Sequence, residues 1–120
     1  MGKSEMHCDC NAIHEDVVKK YKRGFSKNKM LINLSKFFQL LSDNTRLSIL
    51  SILDENEVCV CDIANILDMT KSAVSHQLKV LKDANLVKSR KQGKEVFYSF
   101  SNEYVKNIFE QAILHINESV

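Results

Sequence analysis

Two pairs of cysteines, each with one residue between its members, contain all four cysteines of this 120-residue chain. Cys8 and Cys10 form the first pair, and Cys59 and Cys61 form the second. Thiolate sulfur prefers soft or borderline ions such as Cd(II), Pb(II), Zn(II), Cu(I) and trivalent arsenic. Because two donors do not fill a tetrahedral shell, the two pairs together could supply four ligands to one ion. The spacing therefore predicts a thiolate metal site.

The second pair can bind one ion only if its backbone is not the interior of a regular helix. Residues two apart on a helix point about 200° apart, onto nearly opposite faces. An extended segment or a first helical turn would bring Cys59 and Cys61 together, and a helix N-terminus also favours thiolate. The alternatives are that this pair consists of small buried apolar residues and that Cys8 and Cys10 lie in an idle tail.

Composition predicts one helix-rich domain with a weakly basic surface. The chain has 44% hydrophobic residues, no Pro, three Gly and a net charge of +2. Residues 19–29 hold six basic side chains and no acid, and residues 71–94 hold seven against one acid. Such clusters suit the phosphate backbone of nucleic acid, although a run of charge can also be an ordinary solvated surface.

We expect a cytoplasmic protein without a membrane partner. No signal peptide opens the chain, and no apolar run approaches the ~18 residues that a membrane span needs. Cytoplasmic thiols stay reduced, which favours ligation over disulfides. We expect no enzyme, no small-molecule substrate and no organic cofactor, because redox enzymes usually carry Cys-x-x-Cys and no acid or base partner lies near the pairs.

Apolar residues at helical spacing predict helices before the second cysteine pair. A short amphipathic helix covers residues 12–22, and a second helix covers about 29–41. Residues 42–44 break that pattern and supply an N-cap. The next helix has a broad apolar face and is therefore well buried; its apolar residues are Leu47, Ile49, Leu50, Ile52 and Leu53.

A helix-turn-helix is predicted directly after Cys61. A short helix over residues 61–68 is followed by a turn at 68–70, where Thr70 can cap the next helix. Two short helices joined by such a turn, the second with a polar outer face, are typical of this motif. The inward-facing residues of the second helix are Val74, Leu78 and Leu81.

The remaining segments predict a basic hairpin and a dimer helix. Residues 86–91 and 95–100 alternate like strands, with the turn at Gln92-Gly93. A last helix over about 102–117 lacks an obvious partner within a small winged domain, so we assign it to a dimer interface. The predicted fold is mostly helical with a small β-hairpin wing. It is a winged helix-turn-helix that forms a homodimer through its terminal helices.

Polar side chains on the helix-turn-helix and the hairpin are suited to double-stranded DNA. Short or planar hydrogen-bonding groups that fit base edges are Ser72, Ser75, His76 and Gln77. Basic side chains that would contact phosphate, or the minor groove beside the wing, are Lys71, Lys79, Arg90, Lys91 and Lys94. An ordinary solvated helix face is the alternative.

Residues 57–64 and 70–81, with 41–46 and the basic hairpin, resemble the ArsR/SmtB family of metal-sensing winged-helix repressors. The resemblance covers roughly residues 30–118 and is greatest to the cadmium/lead/zinc-responsive CadC type. It implies a homodimer that binds operator DNA and is released by metal. Residues 1–28 would then be a mobile arm that carries ligands, and 29–120 the DNA-binding and dimerisation domain.

The resemblance also implies how the cysteines are shared. In CadC-like repressors the arm ligands reach the Cys-x-Cys pair of the other subunit, which implies an intersubunit site of Cys8, Cys10, Cys59 and Cys61. The arm pair is more closely spaced here than that type often has. If one arm cysteine ligates poorly, a three-thiolate site for Pb or As results. Arsenic sensors of this family can place a third Cys one turn after the pair, where this chain has Ile63 and Ala64.

Many family members carry a second metal site on the dimer helix, built from Asp, His and Glu. The matching positions here are Asn102, Tyr104, His115 and Glu118. Amide oxygen and phenol are poor replacements for zinc ligands, so we expect this site to be lost.

The predicted function is a metal-responsive transcriptional repressor whose metal-free dimer binds an operator. A soft ion, Cd(II) or Pb(II) or else Zn(II), would bind the cysteines and release the dimer, which would derepress metal resistance or efflux genes. One alternative is a repressor of the same fold that responds to arsenite, antimonite or thiol oxidation. An alternative of another class is a protein-interaction winged helix with a structural zinc.

Overall fold

A computed structural model of the chain describes residues 14–22, 24 and 28–119, within two compact units, residues 1–35 and 36–120. In the first unit, helix α1 spans Glu15–Lys22 and has acidic residues in its first turn and basic residues in its last. The helix dipole favours that order of charges. Residues 12 and 13, where the sequence predicted this helix to begin, lie outside the described part of the chain.

Helix α2 spans Lys29–Leu41, as the apolar stripe predicted, and crosses the boundary between the two units. It begins after Asn28, whose Oδ1 accepts a hydrogen bond from the Met30 N–H at 2.9 Å. Helix α3 spans Asn44–Leu53. Asp43 is its N-cap and accepts from the Arg46 N–H at 3.0 Å, which confirms the predicted cap.

Two helices form the predicted helix-turn-helix. Helix α4 spans Val60–Leu67, and helix α5 spans Lys71–Asp83. Helix α4 ends where Asp68 turns into the left-handed region, with φ 56° and ψ 46°. Thr70 is the N-cap of α5, because its Oγ1 accepts from the Ala73 N–H at 3.1 Å. The turn and its cap are therefore those that the sequence predicted.

A three-stranded antiparallel sheet contains the predicted hairpin and one strand that was not predicted. Strands β2, Val87–Gln92, and β3, Glu95–Phe100, form the wing. Strand β1 is Val58–Cys59, and it pairs with β3 in the order β1-β3-β2. The segment before the helix-turn-helix is thus part of the wing sheet.

The predicted hairpin turn at Gln92-Gly93 is wrong by one residue. Gln92 pairs with Glu95, so it still belongs to the ladder, and the two turn residues are Gly93 and Lys94. Gly93 has φ +65°, a conformation that glycine adopts without a steric penalty. The glycine is therefore the first turn residue rather than the second.

Helix α6, Glu103–Ser119, has a partner within its own chain, contrary to expectation. Its Phe109 is buried, with its ring centroid 5.7 Å from that of Phe100 at the end of β3. The core that it joins comes from α3, α4, α5 and the wing. Its buried members are Ile49, Leu50, Leu53, Ile63, Ala64, Val74, Leu78, Leu81, Leu86, Val87, Phe100 and Phe109.

Helix α6 also exposes large apolar side chains to solvent: Tyr104, Ile108, Ile113, Leu114 and Ile116. An apolar groove between α3 and α6 adjoins them, lined by Leu47, Phe109, Ala112, Ile113 and Ile116 with Ser48 and Ser51. No helix in the described part of the chain is long and apolar enough to cross a membrane.

Candidate functional site

The second cysteine pair lies where a strand of the wing sheet becomes the first helix of the helix-turn-helix. Cys59 ends β1 and is also the N-cap of α4, with extended backbone at φ −87° and ψ 162°. Cys61 is the second residue of α4. The backbone is therefore extended at one cysteine and in the first helical turn at the other, as two neighbouring thiolates that share an ion require. Cys59 is 8% exposed, whereas Cys61 is exposed.

A small cavity of about 180 Å³ opens beside the pair, between the start of α4 and the wing turn. Its lining residues are Cys59, Val60, Cys61, Lys94, Glu95 and Val96. The cavity gives solvent and further ligands access to both cysteines. Lys94, which the sequence predicted as a phosphate contact, thus lies at the mouth of the candidate metal site as well as at the tip of the wing.

The described residues do not complete a ligand shell around the two thiols. Among them, the one group of three or more His, Cys, Asp or Glu side chains within metal-binding range is Asp54, Glu55 and Glu110. A complete site at Cys59 and Cys61 would therefore need ligands from elsewhere. Cys8 and Cys10, which the sequence predicted for this role, lie outside the described residues.

The acidic group Asp54, Glu55 and Glu110 lies where α3 ends near α6, and the sequence did not predict it. Its oxygen ligands suit hard ions rather than soft ones. A hydrogen bond with Asp54, together with burial and the Asp54 charge, raises the pKa of the Glu110 carboxyl above its ordinary value. Exposed acidic groups of this kind are common without an ion, and we assign none here.

The residues at the positions of a second metal site are spread along α6. Asn102 caps this helix, because its Oδ1 accepts from the Val105 N–H at 3.0 Å. Tyr104 is 81% exposed, and His115 and Glu118 are exposed near the other end. At 1.5 Å per residue, even Tyr104 and His115, the nearest two across this gap, lie about 16 Å apart along the helix. Within one chain these four side chains cannot share an ion, and the expected loss of the site stays a prediction.

Helix α5 presents most of the predicted base-reading residues on one side. Its buried residues Val74, Leu78 and Leu81 have no solvent exposure and fix the helix to the core. The exposed side carries Lys71, Ser72, Ser75, His76 and Lys79. The Lys79 Nζ lies 3.1 Å from an Asp83 carboxylate oxygen one turn later.

Gln77 does not lie with these residues. It is half-buried on the flank of α5, and its Oε1 accepts a hydrogen bond from the Arg46 Nε at 2.9 Å. Arg46 also donates to the Leu40 carbonyl at 3.4 Å. The structure therefore places Gln77 against α3 rather than on the exposed side of α5.

The wing holds three of the predicted phosphate contacts, and they differ in their surroundings. Lys91 and Lys94 are exposed. Arg90 instead binds Glu57 through two hydrogen bonds, from Nη2 to Oε1 at 2.7 Å and from Nε to Oε2 at 3.0 Å. The hydrogen bond with Arg90 lowers the pKa of the Glu57 carboxyl.

Sequence analysis did not identify Glu57 or Arg46 as functional residues. Glu57 is 33 residues from Arg90, and Arg46 is 31 residues from Gln77. No short-range pattern pairs residues so far apart. The basic cluster at residues 71–94 indicated the cations of the predicted DNA-binding surface but not their partners.

Comparisons with known proteins agree on the family and the fold. A family model described as "Bacterial regulatory protein, arsR family" matches residues 43–89. A cadmium resistance transcriptional regulatory protein CadC homolog from Staphylococcus aureus is 42% identical, over 92% of each chain. A transcriptional repressor SmtB homolog from Synechocystis is 35% identical, over 93% of this chain and 85% of its own.

A solved structure shows the same architecture. The homodimeric winged helix-turn-helix DNA-binding domain from Mycobacterium bovis superposes with a TM-score of 0.72 at 28% identity, over 78% of this chain and 86% of its own. The predicted fold class, mostly helical with a small β-hairpin wing, is confirmed.

Proposed function

The chain belongs to the ArsR family of bacterial regulatory proteins, and on that premise we propose that it is a transcriptional repressor that releases DNA when a soft metal ion binds its cysteines. The relatives named for cadmium resistance and for SmtB support metal as the regulatory ligand. A DNA-bound repressor acts where the DNA is, so we place the protein in the cytoplasm. We propose no enzymatic activity and no organic cofactor.

The observation that carries the proposal is the position of Cys59 and Cys61 at the junction of wing and helix-turn-helix. Cys59 pairs with Phe97 of the wing, while Cys61 belongs to α4, which packs against α5. Ligation of both thiolates to one ion would fix the angle between these two DNA-facing elements. The angle between the wing and the helix-turn-helix in the metal-bound protein can then differ from the angle that fits DNA.

The remaining ligands in this proposal are Cys8 and Cys10 of the other subunit. Among the described residues, no third His, Cys, Asp or Glu forms a close group with Cys59 and Cys61, and the cavity beside them leaves room for further sulfur. Four thiolates suit Cd(II) or Zn(II), whereas three suit Pb(II). The proposed metal is thus Cd(II), Pb(II) or Zn(II), and the number of arm thiolates distinguishes Pb(II) from the other two.

The DNA-binding surface in this proposal consists of the exposed side of α5 and the wing. Ser72, Ser75 and His76 would meet base edges, and the lysines would meet phosphates. The exposed apolar side of α6, with the groove beside α3, would form the homodimer. A dimer places two such surfaces on one operator, which would then be an inverted repeat.

Fluorescence anisotropy tests the proposal. The probe is a labelled duplex of about 30 base pairs that the metal-free protein has selected from a random pool. We expect Cd(II) to weaken binding at least about tenfold, a coupling of roughly 1.4 kcal/mol. The matched variant Cys59→Ser with Cys61→Ser should bind the same duplex and ignore Cd(II). An unchanged wild-type affinity in Cd(II), Pb(II) and Zn(II) would refute metal sensing.

A second comparison locates the other ligands. The variant Cys8→Ser with Cys10→Ser should bind DNA normally and lose most of its response to Cd(II). If this variant responds as the wild type does, the arm cysteines are not ligands, and the proposed intersubunit site is wrong.

A further inference from the structure

We propose that Glu57 sets the strength of DNA binding by competing with a backbone phosphate for the guanidinium group of Arg90. This inference rests on the DNA-binding function proposed above and deepens it. It assigns a role to Glu57, which belongs neither to the cysteine pair nor to the exposed side of α5.

Every nitrogen of the Arg90 guanidinium group already has a partner. Nε and Nη2 donate to the two carboxylate oxygens of Glu57, and Nη1 donates to the Gln92 Oε1 at 2.7 Å. The group also lies over the Phe97 ring, 5.2 Å from its centroid. A carboxylate and a phosphodiester use the same two-oxygen geometry on a guanidinium group. A phosphate that binds Arg90 in that way must therefore displace Glu57.

The Arg90–Glu57 ion pair is exposed enough that replacing Glu57 by a phosphate should cost little free energy. The side chains of Arg90 and Glu57 are 49% and 38% exposed, and exposed ion pairs contribute little to folding stability. The wing core does not depend on the pair, because the hairpin is held by its own backbone ladder from Val87–Phe100 to Gln92–Glu95. Loss of the Glu57 contact should leave the fold intact.

Cations outnumber acids around Arg90, where the exposed carboxylates on or beside the wing are Glu57, bound to Arg90, and Glu95 near the turn. The neighbouring wing residues Lys88, Lys91 and Lys94 are exposed cations. Glu57 places a negative charge among them and occupies the single arginine of the wing. In the absence of Glu57, Arg90 would be available to DNA without first breaking a pair of hydrogen bonds.

A double-mutant cycle on DNA affinity tests the competition. The four proteins are the wild type, Glu57→Gln, Arg90→Gln and the double variant, each melted first to confirm folding. In the wild-type background, Glu57→Gln should tighten binding about 3- to 10-fold, since a dimer carries two wings. In the Arg90→Gln background the same change should alter affinity less than about 2-fold.

A matched control separates competition from a general change in charge. Asp83→Asn removes the same charge from an exposed pair, that with Lys79, on the neighbouring α5. It should change affinity by equal factors in the two Arg90 backgrounds. The gain from Glu57→Gln should also be the same on the selected duplex and on a scrambled duplex, because phosphate contacts carry no sequence information.

Three results would overturn the inference. Equal gains from Glu57→Gln in both Arg90 backgrounds would mean that only net charge matters. Weaker binding by Glu57→Gln would mean that Glu57 positions Arg90 for DNA rather than withholding it. A wild-type protein that binds neither duplex would refute the proposed function itself, which distinguishes that failure from the other two.

Discussion

The two elements proposed to bind DNA, helix α5 and the wing, hold their polar side chains in different ways. Helix α5 is fixed by three buried side chains and presents its serines and His76 on an exposed side. The wing is fixed by its backbone ladder and by the buried side chains of Val87 and Phe100, but its one arginine is bound to a carboxylate of the same chain. In the proposed function, the exposed side of α5 can meet bases as it stands, whereas Arg90 must leave Glu57 before it can bind a phosphate.

The cysteine pair links strand β1, which pairs with the wing, to α4, the first helix of the helix-turn-helix, and this explains why its position matters. Cys59, Phe97 and Arg90 form one row across the sheet, since Phe97 pairs with Cys59 on one side and with Arg90 on the other. Side chains in such a row share a face of the sheet. Ligation at Cys59 would thus be felt in the wing, and ligation at Cys61 in α4.

The largest effect should come from the core beneath α5. Leu78→Ala removes a side chain with no solvent exposure and should lower the free energy of unfolding by about 2–5 kcal/mol. Thermal denaturation measures this loss. Lys91→Ala on the exposed wing is the control and should change stability by less than about 0.5 kcal/mol. Equal losses of unfolding free energy in the two variants would contradict the conclusion that buried side chains such as Leu78 fix α5 to the core.

The next largest effect should be on the affinity for a specific DNA sequence. Ser75→Ala with His76→Ala should weaken binding to the selected duplex about 100-fold, since each good base contact contributes roughly 1–3 kcal/mol. Binding to a scrambled duplex should change far less. Anisotropy on both duplexes measures the difference, and a Cd(II) titration should show unchanged metal affinity. A gel shift like that of the wild type would exclude these residues as base contacts.

A smaller and uniform effect should come from the wing lysines. Lys91→Gln should weaken binding a few-fold on either duplex and reduce the salt slope by about 2 in a dimer, one phosphate contact for each wing. The measurement is affinity across a series of salt concentrations. A loss confined to the selected duplex would show that the wing also reads bases.

The smallest effect should be on stability and should come from Glu110 of α6, outside both α5 and the wing. The raised pKa of Glu110 means that its protonated form is favoured in the folded protein, so the contribution of Glu110 to stability is lost as pH rises above the ordinary value of 4.5. Glu110→Gln should therefore raise the melting temperature at neutral pH, with no gain at about pH 4, and leave DNA affinity unchanged. A gain in melting temperature that persists at about pH 4 would show that it does not come from removing the Glu110 charge beside Asp54.

Sequence patterns predicted the parts of the fold that depend on local interactions. The apolar stripe gave the bounds of α2, and the polar residues Asp43 and Thr70 marked caps that the structure confirms. Strand β1 was missed because a two-residue strand has no periodicity of its own and exists only through its pairing with β3. The partner of α6 was missed for a similar reason, since Phe109 meets Phe100 only after the chain has folded.

The same distinction applies to the candidate site. The types of the cysteines, lysines and serines indicated soft-metal and DNA chemistry without any structure. The partners of Arg90 and Gln77 were not predictable, because Glu57 and Arg46 lie more than 30 residues from them in the sequence. The structure thus adds the contacts that decide which of these side chains DNA would meet directly.

The most direct test of metal-controlled DNA binding is the affinity of the protein for Cd(II) with and without saturating duplex, measured by competition with a chelating dye. Thermodynamic linkage requires that DNA weaken Cd(II) binding by the same factor by which Cd(II) weakens DNA binding. The account predicts a decrease of at least about tenfold in the DNA-bound protein. Equal Cd(II) affinities in the two states would contradict it.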